Sequence, residues 1–305
     1  MPHTDPAFFP DPFSPAPADT PDYTPLIRRI KRRRGLVTAF LILVTLIPLL
    51  FIGPIEITLL DRELTAKGLT VGGAIAIIAA GWILGMILGV AVLLPVGNAL
   101  VRDGDPAKYL ALQEGLYMFT TTETQKASVR AVSYLLMGNY QEAVRNADLL
   151  THTQKPSPSA AGLFCKGRAA FFTGDAETLA AVTVAFGKIT AGMKGASYPK
   201  QKAMLELMDA VTRKDTEAAA RLAPSVTAWE LSPIVEAQVD LCHARAALLL
   251  MEVSEGEERT THRHEAIHRL LSCKEKGGKS VLVSLAEESL AALPAEAEER
   301  EATGS

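Results

Sequence analysis

The chain has 305 residues, of which 48% are hydrophobic, 21% are charged and only 6% are aromatic, and its formal net charge at pH 7 is −3. Its apolar residues are concentrated in two runs without charge, one from Leu36 to Ile55 and one from Leu69 to Val101. An α-helix rises about 1.5 Å per residue and the hydrocarbon core of a bilayer is about 30 Å thick, so each run is long enough to span it. This composition excludes a soluble cytosolic protein and a secreted disulfide scaffold.

The segment 1–26 is a proline-rich tail with eight prolines and four aspartates. Such a segment has too few aliphatic side chains to offset its ordering entropy, so we predict that it is disordered. Three phenylalanines are unusual in such a tail: Phe8, Phe9 and Phe13. They leave two interpretations open, a short linear motif that binds a partner or an inert tail.

Six basic residues directly precede the first apolar run: Arg28, Arg29, Lys31, Arg32, Arg33 and Arg34. Because Lys and Arg beside a span are retained on the cytoplasmic side, we predict a two-pass protein of the plasma or inner membrane. Its N-terminus and its C-terminal domain would both be cytoplasmic. The same cluster suits contact with membrane lipids. A nuclear-localisation or nucleic-acid role is the weaker alternative, because the chain from Arg102 onward carries a net charge of −4.

The second apolar run contains three glycines spaced four residues apart: Gly81, Gly85 and Gly89. Glycines at this spacing line one face of a helix and let another helix approach closely. We expect the partner to be the first span, packed as a hairpin. Self-association with a second copy, or binding to another membrane subunit, is the alternative. Neither run holds an acid, a base or a histidine, which argues against a transporter.

From Asp105 to Leu293 we predict helices alone, because no stretch of alternating period appears. A capping side chain followed by proline predicts helix starts at Asp105, Ser157 and Ser232. Tight turns between helices are predicted where glycine, asparagine, lysine or aspartate interrupt the apolar pattern, at Gly138-Asn139, Gly174-Asp175 and Lys214-Asp215.

These three turns recur at nearly even intervals along the chain, a regularity typical of stacked helix pairs. The sequence Gly138-Asn139-Tyr140-Gln141-Glu142-Ala143-Val144 resembles the turn and second-helix start of a tetratricopeptide repeat. The resemblance covers about residues 120–275 and weakens after the first unit. A fourth unit is suggested by a long helix from Pro233 to about Val253, a loop, and Glu265-Ala266-Ile267.

The resemblance implies a concave groove that would suit an amphipathic helix or an apolar peptide of a protein partner. In the register of the family, this groove would be lined by Gln125, Ser128, Phe164, Arg168, Phe171, Gln201, Met204 and Met208. For the apolar members Phe164, Phe171, Met204 and Met208, their helical spacing favours an ordinary core over a groove lining. The family's clamp for a C-terminal carboxylate is not matched, since Ser128 and Val132 stand at two of its positions.

One motif suggests chemistry. His264-Glu265-Ala266-Ile267-His268 fits the zinc-protease pattern H-E-x-x-H, with His262 or Glu287 as a third ligand. Arg269 after the second histidine, and the match of Glu265-Ala266-Ile267 to the repeat, argue against a protease. The cysteines Cys165, Cys242 and Cys273 form no C-x-x-C pair, and we predict reduced thiols.

The expected fold class is therefore all-α, a two-helix transmembrane hairpin followed by a cytosolic, tetratricopeptide-like solenoid of three to four helix pairs. The expected function is a non-catalytic scaffold that recruits a protein partner and uses no cofactor or metal. The predicted segments are a disordered tail (1–26), a basic segment (27–35), transmembrane helix 1 (36–57), an extracytoplasmic loop (58–68), transmembrane helix 2 (69–101), the helical domain (105–293) and an acidic disordered tail (294–305).

Overall fold

A computed structural model describes residues 21–52, 70–117 and 121–293, together with the backbone of 55–59 and 62–66. Residues 1–20 of the predicted tail (1–26) and the acidic tail from residue 294 lie outside the described residues. The prediction of disorder is wrong for the last three residues of the tail, because a helix begins at Thr24. The described elements are α1 (Thr24–Leu50), β1 (Ile55–Leu59), β2 (Arg62–Ala66), α2 (Val71–Val101), α3 (Pro106–Leu116), α4 (Glu123–Leu136), α5 (Tyr140–Thr151), α6 (Pro156–Thr173), α7 (Ala176–Thr190), α8 (Ser197–Thr212), α9 (Thr216–Leu222), a 3-10 turn (Ala223–Ser225), α10 (Pro233–Val253), α11 (Gly256–Lys276) and α12 (Val281–Ala291).

The predicted all-α class is confirmed, with two long apolar helices followed by a repeat-like helical region. The chain divides into two compact units: Asp22–Asn98, called the hairpin unit, and the part from Ala99 onward, called the helical unit. In the hairpin unit, α1 and α2 are each long and apolar enough to cross a membrane. Their most apolar windows are only 6% and 11% buried, so most of their apolar side chains lack protein neighbours.

Two short strands lie between α1 and α2, where the sequence predicted the end of the first span and a loop. β1 and β2 pair antiparallel, with Ile55 opposite Ala66 and Leu59 opposite Arg62. The alternation of apolar and polar residues in Ile-Glu-Ile-Thr-Leu, rich in β-branched side chains, favours this strand. The first apolar helix accordingly ends at Leu50 rather than at residue 57, and it begins at Thr24, so that it includes the whole basic segment.

The helical unit repeats one turn geometry three times. The turns contain a residue with positive φ, which is 78° at Gly138, 73° at Gly174 and 58° at Lys214. The Asn or Asp that follows caps the next helix, accepting a hydrogen bond from the third helical amide at 3.2, 3.0 and 3.0 Å. The three predicted turns are therefore confirmed. They alternate with longer connections, and α4 packs on α6, α6 on α8 and α8 on α10.

One predicted helix start and one predicted side-chain cap need correction. Asp105 caps α3 as expected, since its carboxylate accepts from the Lys108 amide at 2.8 Å. The helix predicted to start after Ser157 begins two residues earlier, at Pro156, because this proline already supplies the fixed φ of a first turn. Ser232 precedes α10 but makes no side-chain cap, and its buried hydroxyl has no partner.

Helix α10 runs through the interior of the helical unit. Fifteen of its 21 residues are buried, on all sides of the helix. A helix that is apolar around its circumference needs neighbours on every side, and here α8, α9, α11 and α12 provide them.

The first and last parts of the helical unit meet at a glycine contact. Gly104 and Gly278 both have positive φ, and a Cβ built on Gly278 would lie 2.6 Å from the Gly104 Cα. The Lys279 amide donates to the Gly104 carbonyl at 2.8 Å, and the Lys279 ammonium lies 2.9 Å from the Asp105 carboxylate. The helical unit is therefore closed by contacts between its first and last segments, unlike an open solenoid.

Candidate functional site

The concave surface expected to bind a partner is filled by the protein itself. Five of the eight predicted groove residues are at most 5% exposed: Phe164, Arg168, Phe171, Met204 and Met208. Trp229, in the loop before α10, packs edge-on against Phe164 with ring centroids 5.0 Å apart. These five side chains are buried in the helical unit and do not line an open groove. For the four apolar residues this is the core alternative that their spacing left open, and for Arg168 the groove prediction is wrong.

The other three predicted groove residues remain closer to the surface. Gln125 is exposed, but its side chain accepts from the Thr122 amide at 2.9 Å and completes a capping box at the start of α4. Ser128 and Gln201 are half-buried. With the middle of the groove filled, these residues do not form one binding surface.

Two arginines within the filled groove illustrate how tightly it is closed. Arg168 donates to Gln238 of α10 at 2.7 Å and stacks on Phe164, with its guanidinium carbon 4.6 Å from the ring centroid. Arg245 stacks in the same way on Phe171, at 4.8 Å. Burial lowers the pKa of both guanidinium groups below its ordinary value. Both side chains join α6 to α10 and are structural.

A different surface is open. A cleft of about 660 Å³ lies between the segment Ala220–Ala228, α10 and α11. One face of α10 forms its floor: Glu236, Val239, Asp240, His243, Ala246, Ala247 and Leu250. These positions recur every three to four residues over about 21 Å of helix. The volume is within the range of ligand sites, and the floor is polar at its Glu236 end and apolar at its Leu250 end.

The polar end of the cleft is organised around Asp240, whose side chain is 6% exposed. Its carboxylate accepts hydrogen bonds from Arg269 at 3.1 Å, Ser272 at 2.7 Å and Lys276 at 3.1 Å, all on α11. Lys276 also pairs with Glu236 at 3.0 Å, and these two carboxylates raise its pKa despite the opposing effect of burial. The network fixes α11 against α10 and leaves about one third of the Arg269 and Lys276 side chains exposed.

Two histidines line the same cleft. His243 lies with its Nε2 3.0 Å from the Val226 carbonyl, which accepts the hydrogen bond and holds the Ala220–Ala228 wall against α10. His262, on α11, has its Nε2 3.8 Å from Glu258. The cleft therefore offers apolar floor contacts together with carboxylate, cationic and imidazole groups at its edges.

The H-E-x-x-H residues do not converge on a metal site. His264, Glu265 and His268 are exposed on α11, and Glu265 pairs with Arg269 at 3.7 Å. Glu287, considered as a third ligand, pairs with Lys274 at 3.1 Å. Within the described ranges, no three His, Cys, Asp or Glu side chains are grouped so that they could hold a metal ion. The stretch from Glu258 to His264, predicted to include a loop, is helical.

The three cysteines are free and buried in the helical unit. Burial raises the pKa of Cys165 to about 11 and the pKa of Cys242 and Cys273 to about 12. At neutral pH they are thiols, with little thiolate to act as nucleophile or metal ligand. Cys165 donates to the Ala131 carbonyl at 3.5 Å, so its role is to join α6 to α4.

The glycine face of α2 is used inside the hairpin unit. A Cβ on Gly81 would overlap Val44, and a Cβ on Gly85 would overlap Leu41. Trp82 donates to the Thr45 hydroxyl at 3.1 Å between the same helices. Gly89 has nothing near its missing Cβ, so only two of the three predicted packing glycines contact α1.

The basic segment lies on the first three turns of α1. Arg34 is half-buried. The other five cations are exposed: Arg28, Arg29, Lys31, Arg32 and Arg33. Ile30, among them, is 2% exposed, so the segment has a buried side and a cationic side.

The cleft was not among the predicted sites. Its signal in the sequence is a polar stripe on an otherwise apolar helix, at Glu236, Asp240 and His243, spaced four and three residues apart. That spacing places three polar groups on one face, which is the face of α10 that lines the cleft. No known family model, no curated protein and no solved structure matches the chain.

Proposed function

We propose that this protein is a two-pass protein of the plasma or inner membrane, with a cytosolic helical unit that acts as a non-catalytic scaffold. Membrane insertion is supported by the exposed apolar side chains of α1 and α2. The cytosolic placement of both chain ends is supported by the cationic start of α1 and the positive-inside tendency of Lys and Arg.

The register of the hairpin unit fits a bilayer. Leu41 lies opposite Gly85, so Arg34, seven residues before it, is level with Val92, seven residues after Gly85. A hydrocarbon core of about 30 Å corresponds to about 20 helical residues. Counted back from Val92 along α2, a segment of that length reaches Gly72, next to the start of α2 at Val71. The strand pair would then lie just outside the opposite leaflet.

The scaffold would recruit its partner through the α9–α10–α11 cleft rather than through the filled concave surface. The observation that carries this proposal is the open cleft itself, with alanine and valine on its floor and charged groups around Asp240. A partner segment could bury apolar side chains on the floor and exchange hydrogen bonds with Glu265, Arg269 or Lys276 at the rim.

The test is site-specific photo-crosslinking of the full-length protein in its native membranes. A photoreactive residue at Thr227, which lines the cleft, should capture a discrete protein. The same probe at Val184 on α7, which is 58% exposed, should not. Ala220→Trp, which fills the cleft from an exposed wall, should abolish the capture, whereas Ala181→Trp on α7 should preserve it.

Two results would contradict the scaffold proposal. One is equal capture from Thr227 and Val184, and the other is capture that survives Ala220→Trp in a folded protein. Topology has its own test, because a reporter fused after Glu296 should be active only in the cytosol. Activity only on the other side would refute the proposed orientation while leaving the cleft proposal open.

A further inference from the structure

We propose that the exposed cations of the first three turns of α1 form a binding surface for the phosphate head groups of anionic lipids in the cytosolic leaflet. This inference rests on the proposed membrane insertion and names a partner that the scaffold proposal does not. The surface comprises Arg28, Arg29, Lys31, Arg32 and Arg33.

The charge pattern of α1 favours an anion at this place. Five exposed cations lie between residues 28 and 33, with no acidic residue among them. Helix α1 has no acidic residue in its first turn. Arg28 and Arg32, and likewise Arg29 and Arg33, are four residues apart, a spacing at which like charges repel. Asp22, just before the helix, supplies a single negative charge.

The depth of the segment matches a head-group layer. The register with α2 brings Arg34 level with Val92, which the proposed insertion would put at the edge of the hydrocarbon core. From there to Arg28 the helix rises about 9 Å. The head-group region on each side of a bilayer is about 5–8 Å thick, so the five exposed cations are distributed through it. Long Arg and Lys side chains also reach toward that layer from a helix end.

Lipid is favoured over the other polyanions that a basic segment could bind. The chain from Arg102 onward carries a net charge of −4 and would repel a nucleic acid. Lipid phosphates, by contrast, are held at high local density beside a helix that is already anchored among them. The continuity of the cationic turns with the apolar part of α1 therefore commits the surface to lipid.

The experiment uses the full chain in nanodiscs of equal parts phosphatidylcholine and phosphatidylglycerol. The protein is released with mild detergent, and the lipids that remain bound are counted by native mass spectrometry. Wild type should retain phosphatidylglycerol over phosphatidylcholine by about threefold or more at about 0.1 M salt, and the preference should vanish at about 1 M salt. Both leaflets are available in a nanodisc, so the result does not depend on orientation.

The test variant replaces the five exposed cations of α1 by glutamine and should lower the ratio to about one. The matched control removes five exposed cations of the helical unit by the same substitution and should keep the wild-type ratio: Arg145, Lys155, Lys188, Lys194 and Arg213. An unchanged ratio in the test variant would overturn the proposal, as would loss of preference on addition of inorganic phosphate or of a nucleic acid at constant ionic strength. A protein that an alkaline wash strips from membranes would instead refute membrane insertion.

Discussion

Helices α2 and α10 are both predominantly apolar, yet their surroundings differ completely. On α2, the apolar side chains of Ile75 and Val90 are 61% and 66% exposed. On α10, Leu241 and Ala244 are fully buried by neighbouring helices. Apolar composition therefore shows that a helix must be removed from water, but it does not show whether lipid or protein will do so.

The polar residues within each helix make the distinction. The run from Leu69 to Val101 contains no charged residue, so α2 can lie in lipid without a buried charge. Helix α10 contains Gln238, Asp240 and Arg245, and each has partners on α6 or α11. A charge that needs a fixed partner on another element is evidence for a protein interior.

The largest expected effect comes from removing a side chain that surrounds α10. Phe171→Ala deletes a ring that is 1% exposed and supports Arg245, and it should lower the free energy of unfolding by about 3–5 kcal/mol. Chemical denaturation can be followed through Trp229 in a Trp82→Phe background. Leu149→Ala, at a site 58% exposed, should change the value by less than about 0.5 kcal/mol. Equal losses would mean that α10 is not enclosed.

A somewhat smaller effect is expected from the ion network of α10. Asp240→Ala leaves Arg269, Ser272 and Lys276 without their shared acceptor and should cost about 3 kcal/mol by the same denaturation measurement. Asp209→Ala breaks a partly exposed pair with Arg213 and should cost less than about 1 kcal/mol. A loss at Asp240 no greater than that at Asp209 would show that the network does not hold α11.

The counterpart on α2 is the packing of its glycines. Gly85→Leu would overlap Leu41 and, at a cost of about 1–3 kcal/mol, should separate α1 from α2. Disulfide formation between Val44→Cys and Gly81→Cys, where a Cβ on Gly81 would lie 3.0 Å from the Val44 Cβ, reports the proximity of the helices and should fall about tenfold. Gly89→Leu has open space and should leave the yield unchanged. If both substitutions behave alike, the hairpin register used for the membrane placement is wrong.

The smallest effect concerns a thiol on α10. The pKa of Cys242 is raised to about 12 by burial, above the value of about 8.5 for an unfolded thiol. The folded state therefore retains a proton that the unfolded state loses, so stability is full below about pH 8.5 and falls as pH rises toward 12. Cys242→Ala should reduce that fall by about 1.4 kcal/mol per pH unit. Denaturation at pH 8 and pH 10 measures the slope, and an unchanged slope would indicate that the thiol is hydrated.

Local chemistry explains which parts of the fold were predictable. The turns at Gly138, Gly174 and Lys214 are each specified by a residue in the left-handed conformation followed by a helix-capping residue. The observed bounds of α10 are those predicted from its first proline and from its apolar pattern. The strand pair was also present in the sequence as an alternating run at Ile55–Leu59, but its apolar residues were assigned to the preceding span.

The groove was not predictable in this way. Whether Phe164 and Met204 face a cavity or a core depends on where α10 lies, and α10 follows both residues at a distance in the chain. That position is set by long-range contacts such as Trp229 with Phe164 and Arg168 with Gln238. A resemblance to an open repeat carries no information about whether later helices fill its concave side.

The glycine contact between Gly104 and Gly278 has a consequence for the order of events during synthesis. Lys279 and Asp105, which pair beside it, are separated by 174 residues in the chain. Both apolar helices precede Asp105, so they leave the ribosome well before the segment that closes the helical unit. The two apolar helices would thus be complete before the segment that closes the helical unit is made, and the contact at Gly104 would be among the last to form.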